Sequence, residues 1–350
     1  MFKQDSTIHK NHSFILHNTL AQNLTQESAI IPAVYVFFSV LAIVDNCMIY
    51  LLFLSHRSLL TQASNRFILL IAIVDGLTGV MVIISPASRI FGDFYPYPHG
   101  PILGPLFCAV IGSEYFIWVF GFISIYTMAV LSLERLYTVL QPASYKKIFT
   151  HRNVNIMIAG LIIIGLVISM ANLFQSQYRP NSVQPCQWLP LTTNQGINAI
   201  LNAVLFILKF LFPATIVCTC YTIIACKIQN MKHTNGDAMI HAFKLPHRLP
   251  SQRHRRAKKQ VTIMIFAASI ALIICWLPNQ IYFLLVQLTI LPIRSSVHVL
   301  TKALVIANSC INPFIYVMLN NNYRKLLMQT TFKLCHNHSR ILRPKRIHTK

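Results

Sequence analysis

Asp75, Ser124, Asn308, Ser309 and Asn312 are polar residues set in stretches that are otherwise almost wholly apolar. A carboxylate or amide surrounded by hydrocarbon is costly unless paired, so such residues are expected to turn towards one another. Asn308 and Asn312 are four apart and share one face of a helix. A lone Asp75 would read as a satisfied packing residue. Joined by a serine and two asparagines from neighbouring helices, it becomes part of an oxygen cage suited to a small hydrated cation. Asp45 and Asn46 add a second carboxylate and amide in the first apolar stretch. Glu134-Arg135-Leu136 sets opposite charges side by side at the end of another, where alone it would be a solvated helix end. Pro213, Pro278 and Pro313 interrupt three stretches, and a proline there removes a backbone hydrogen bond and kinks a helix.

The elements that must carry these residues are seven apolar runs: Ala29–Ser55, Phe67–Ser88, Leu106–Leu133, Val154–Phe174, Ile197–Cys226, Val261–Leu291 and Val297–Leu319. Each supplies the roughly 20 residues a helix needs to cross a hydrocarbon layer about 30 Å thick. Most of the 30 lysines and arginines lie in the gaps after runs 1, 3 and 5 and in the C-terminal tail. Cytoplasmic loops are enriched in these residues, which places the amino terminus outside and the carboxyl terminus inside. The chain is therefore expected to be an all-α membrane protein, a seven-transmembrane helix bundle spanning 29–319. It is preceded by an extracellular segment, 1–28, and followed by an amphipathic helix and basic cytoplasmic tail, 320–350. The net charge of +22 falls where anionic inner-leaflet lipids would meet it, so membrane lipid rather than nucleic acid is the expected partner.

Residues 1–28 contain no apolar run long enough for a cleavable signal, so the first run is expected to direct its own insertion. Of nine cysteines only Cys108 and Cys186 fall on the oxidising side, which pairs them in a disulfide. Asn11 and Asn23 head glycosylation triplets in the outer segment. No P-loop, HExxH, GxSxG or paired CxxC pattern occurs, so nothing points to an enzyme. A transporter or channel, the competing class, would need a polar path across the membrane, whereas the polar residues here gather at one depth.

Taken in order, these residues resemble the rhodopsin-like (class A) G-protein-coupled receptors from about Val34 to Cys335. The match comprises Asn46, Leu70-Ile71-Ala72-Ile73-Val74-Asp75, Cys108, Glu134-Arg135-Leu136, Cys186, Pro213 and Tyr221. It continues through Cys275-Trp276-Leu277-Pro278, Asn312-Pro313-Phe314-Ile315-Tyr316 and the short amphipathic Tyr323-Arg324-Lys325-Leu326-Leu327. The resemblance implies a plasma-membrane receptor with no resident cofactor. A ligand acts on the Trp276 region, and span 6 swings outward about Pro278. Arg135 leaves its resting contacts, and Tyr221 and Tyr316 turn to meet it, opening a cleft for a heterotrimeric G protein. It further implies that Asp75, Ser124, Asn308, Ser309 and Asn312 hold an allosteric Na⁺, and that Cys335 is palmitoylated. Four features depart from the family. Asp45 precedes Asn46, the fourth run lacks a tryptophan, and Leu272 stands where an aromatic is usual. Cys108 lies 27 residues before Arg135, about two more than the family pattern.

Ligand chemistry is less legible. Ile117 stands where amine receptors of this class carry an aspartate, and Ile306 where opsins carry the retinal-binding lysine, which disfavours both ligand types. Lys209 and Lys302 can point into an outer pocket or snorkel to the headgroups. A cationic pocket would suit a small carboxylate, a lipid acid or a peptide C-terminus, and Glu114 is placed to neutralise one lysine. Phe94, Tyr95, Tyr97 and Trp188 favour a peptide, the ligand class expected here.

Overall fold

Backbone amides have no water to bond in hydrocarbon, so apolar runs of this length satisfy themselves as helices. The computed structural model describes residues 5–238, 252–292 and 296–341, except 89, 92, 93, 181 and 183; side chains are left out at 5–29, 87, 228, 230–238, 252–258, 296 and 333–341. Among the described residues, seven helices are long and apolar enough to cross a membrane. They are span 1 (Ile30–Ser55), span 2 (Ala63–Ile84), span 3 (Leu103–Leu140), span 4 (His151–Phe174), span 5 (Gln195–Lys227), span 6 (Lys259–Gln287) and span 7 (Val297–Leu319). A further helix, Asn321–Ile341, follows span 7. Span 1 continues an unbroken helix that begins at Asp5, within the segment expected to precede the bundle.

Spans 1, 2 and 7 pack together, spans 5, 6 and 7 continue the ring, and span 3 runs through the middle against spans 2, 4, 5 and 6. Span 3 is accordingly the most deeply buried helix and span 4 the least. Ile156, Ile163, Val167 and Phe174 of span 4 stand exposed, as an apolar belt must where the surrounding medium is lipid. Between spans 4 and 5 a hairpin of β1 (Ser176–Tyr178) and β2 (Cys186–Trp188) pairs Ser176 with Trp188 and Tyr178 with Cys186. Cys186 is bonded to Cys108, tying the hairpin to span 3. The end of the bundle carrying this bridge is the disulfide end, and the opposite one the Arg135 end.

Two spans are not uniform α-helix. Span 3 starts as Leu103–Phe107, widens into a π turn at Cys108–Gly112, passes through Glu114 with φ of 60° and resumes as Tyr115–Leu140. A π turn takes more residues than an α turn, so this stretch absorbs the surplus between Cys108 and Arg135. Gly112 sits in it because a Cβ there would come within 2.8 Å of Cys186 Sγ. Span 5 runs as Gln195–Phe206, a π turn at Ile207–Leu211, then a helix from Phe212. Pro213 falls directly after that turn, where a missing N–H disrupts least. Pro278 and Pro313 lie inside continuous helices.

Candidate functional site

At the disulfide end the spans diverge around a cavity of about 210 Å³, bordered by Tyr97, Trp118, Trp188, Lys209, Gln280 and Lys302 among others. Two of the four outer aromatics named from sequence, Tyr97 and Trp188, therefore border it, while Phe94 stands 93% exposed. Burial lifts the Tyr95 phenol above its ordinary value, with Tyr97 beside it. Glu114 and Lys302 form an ion pair across the cavity floor at 2.5 Å, and Ser85 Oγ donates to the same carboxylate oxygen at 3.3 Å. The left-handed backbone at Glu114 aims its side chain at span 7. For a non-glycine residue that conformation costs energy and persists only where surrounding contacts hold it.

Lys209 lies in the π turn of span 5 and is 7% exposed. Its ammonium donates to Asn172 Oδ1 at 3.4 Å and sits 5.3 Å from the centre of the Phe122 ring. Trp276 lies one layer deeper, with Trp118 at 6.2 Å and Phe122 at 5.7 Å between it and the opening. Trp276 therefore meets the cavity through those two rings rather than as part of its lining. Gly121 makes room for it: a Cβ there would lie 2.4 Å from Trp276 Cη2. Ile117 turns aside into a small apolar cluster with Tyr35, Val82 and Ile306. Leu272 is buried in the core beneath.

Deeper in the bundle the polar residues named from sequence converge. Asp75 accepts from Asn312 Nδ2 at 2.8 Å and from Ser309 Oγ at 3.4 Å. Ser124 Oγ lies within hydrogen-bonding reach of Asp75, short of ordinary geometry, while Asn308 Oδ1 and Asn312 Oδ1 are buried with no hydrogen-bond partner among the described residues. Asp75 with the oxygens of Ser124, Ser309 and Asn312 beside it is a donor set that fits a small hard cation. Asn46 completes the wall by donating to Ser309 O at 2.7 Å, Ala42 O at 2.9 Å and Asp45 Oδ1 at 3.0 Å. The Asn46 amide has two hydrogens for three acceptors, so Asp45 receives a shared bond, and Asp45 Oδ2 has no partner among the described residues.

At the Arg135 end, the Arg135 guanidinium pairs with the neighbouring Glu134 carboxylate. Ser64 of span 2 closes the triangle, accepting from Arg135 at 2.5 Å and donating to Glu134 at 3.1 Å. Tyr221 and Tyr316 are buried nearby with hydroxyls that have no partner of ordinary geometry among the described residues, although Ser132 and Ser269 lie within reach of Tyr221. Tyr323, after span 7, donates to Asn65 of span 2 at 2.5 Å, and burial raises its phenol above the ordinary range. Burial does the same to Tyr145 in the short helix Pro142–Ile148, with the Glu134 charge adding to it.

Ser64 and Asn65 have no counterpart in the sequence reading. The polar run Gln62-Ala63-Ser64-Asn65 resembles loop, and only the fold shows that span 2 begins there. A polar seam of Asn198, Asn202 and Gln287 between spans 5 and 6 was equally invisible. The side chains of Asn11, Asn23 and Cys335 lie outside the described residues. Ser64→Ala should remove a buried partner of both charges and weaken the grip on Arg135, an effect of about 1–3 kcal/mol. Ligand-independent signalling is expected to rise several-fold in that variant at matched surface density. Unchanged basal output would show that Ser64 only fills space.

The model of the 7 transmembrane receptor (rhodopsin family) matches residues 45–316. Among characterised proteins, the pig (Sus scrofa) somatostatin receptor type 2 is 25% identical over 85% of this chain and 76% of its own length. The rat (Rattus norvegicus) somatostatin receptor type 1 is 26% identical over 86% of this chain and 71% of its own.

Proposed function

Because this chain belongs to the rhodopsin family of seven-transmembrane receptors, we propose that it binds an extracellular peptide and passes the signal to a heterotrimeric G protein. A receptor of this family is not an enzyme. The observation that carries the peptide assignment is the cavity at the disulfide end, rimmed by aromatic and amide side chains beneath a β-hairpin. The similarity to somatostatin receptors points to the same ligand class. The basic loops orient the disulfide end outward and the Arg135 end towards the cytoplasm, in the plasma membrane.

In this proposal the described arrangement is the resting one. Glu134 and Ser64 hold Arg135, while the Tyr221 and Tyr316 hydroxyls, with no partner of ordinary geometry among the described residues, can reach it once span 6 moves. A ligand pressing on Trp118 and Phe122 displaces Trp276, and Pro278, two residues further on, gives span 6 its hinge. The shift is a population change, and the ligand drives it only by its preference for the open form.

Asp75, Ser124, Asn308, Ser309 and Asn312 would hold Na⁺, an ion that neutralises the buried carboxylate and favours the resting packing. Agonist affinity is then expected to fall as Na⁺ replaces a bulky organic cation at constant ionic strength. Asp75→Asn should abolish that dependence; a sodium response surviving in the variant would refute the assignment.

The signalling proposal is tested by screening peptides on cells expressing the receptor, with G-protein nucleotide exchange and ion flux read in parallel. Peptide-driven exchange that Arg135→Ala abolishes is expected. Flux without exchange would replace the receptor mechanism with a conducting one.

A further inference from the structure

Lys209 is a cavity cation with no carboxylate beside it among the described residues. The ion pair there, Glu114–Lys302, leaves the acid of the cavity floor already committed. An ammonium carries three donors. Lys209 has one neutral acceptor at a long 3.4 Å and one aromatic face, and it is nevertheless buried. Such a charge is undercompensated by the protein groups around it. The local backbone is responsible. In the π turn Ile207, Leu208 and Leu211 face outward, while Lys209 and Phe210 face the bundle.

We infer that Lys209 is the anchor for a carboxylate carried by the ligand, whose apolar body lies against Trp118 and Phe122. One uncompensated ammonium suits one negative charge, and Asn172, Asn202 and Gln280 border the same cavity as neutral hydrogen-bonding neighbours. The anchor also touches the signalling layer, since the Phe122 ring beneath the ammonium packs on Trp276. A cationic ligand group is disfavoured: Ile117 offers no counter-charge, and Glu114 is held by Lys302. This inference rests on the proposed ligand-binding role of the cavity and names the ligand chemistry there. The carboxylate can come from a peptide C-terminus or from a lipid acid.

The test uses the full-length receptor in lipid nanodiscs and two matched probe pairs. One is an N-acetylated tetrapeptide ending in Phe, as free acid and as C-terminal amide; the other is dodecanoic acid and its amide. Thermal midpoints against probe concentration give apparent affinities. For at least one pair the acid should bind roughly tenfold tighter than the amide, the ratio expected for one charge-assisted bond. That ratio should collapse towards one in Lys209→Met, with Lys209→Gln as the second variant should the first fail to fold. The pair with the larger ratio assigns the source. No acid preference in the wild-type receptor for either pair, or a preference that survives both substitutions, overturns the inference. Acid preference in a receptor that drives no G-protein exchange would sink the signalling proposal and leave the anchor standing.

Discussion

Lys302→Met is expected to cost the protein about 3–5 kcal/mol of stability, because it strands the Glu114 carboxylate in a buried site with only Ser85 as a partner among the described residues. The side chains of Lys302 and Glu114 are 14% and 9% exposed, too little for water to take over from the missing partner. Glu114→Gln should be the milder change, since the released lysine can extend towards the cavity mouth. The double variant Glu114→Gln/Lys302→Met should recover most of the loss, as neutral pairs in buried sites often match the ion pair they replace. Thermal midpoints in detergent and surface expression in cells measure all three. A double variant no more stable than the sum of the single changes would mean that the two groups do not depend on each other.

Gly121→Ala is expected to raise ligand-free G-protein exchange about tenfold. The added Cβ would stand 2.4 Å from Trp276 Cη2 and 2.7 Å from Cζ2, and Trp118 and Phe122 leave the indole little freedom to yield in place. A clash present in the resting packing and absent once Trp276 has moved penalises one state only. A difference of about 1.4 kcal/mol is already a tenfold change in their ratio. The companion variant Gly121→Ala/Trp276→Phe removes the overlap and should return basal exchange towards the starting level. If well-folded Gly121→Ala protein shows the same or lower basal exchange, Trp276 is packing rather than a switch.

Much of this architecture was legible before any coordinates. Hydrocarbon forces a run of about 20 apolar residues into a helix whatever its neighbours do, so the seven spans follow from composition alone. Asp75, Ser124, Asn308, Ser309 and Asn312 announced themselves for the same reason, since polar atoms in such a medium must find one another. The two cysteines on the oxidising side left one pairing, Cys108–Cys186, and that bond is present. What stayed hidden depends on tertiary contacts. Neither Ile207–Leu211 nor Cys108–Gly112 carries a residue type that demands a π turn, and Glu114 is an unlikely residue for a positive φ until Lys302 is seen opposite. Ser64 was hidden because a short polar side chain near a helix start looks the same whether it meets solvent or an arginine.

The widened start of span 3 has a consequence for anyone transferring residue roles from related receptors. The helix has two frames of reference joined at Ser113 and Glu114. Positions from Tyr115 onward are counted correctly from Arg135, and positions up to Gly112 from the disulfide at Cys108. A single count carried across the join misplaces the far side by about half a helical turn, turning pocket residues into lipid-facing ones. Grafts, chimeras and crosslinking pairs at this helix should therefore be cut at the join, with each half matched to its own landmark.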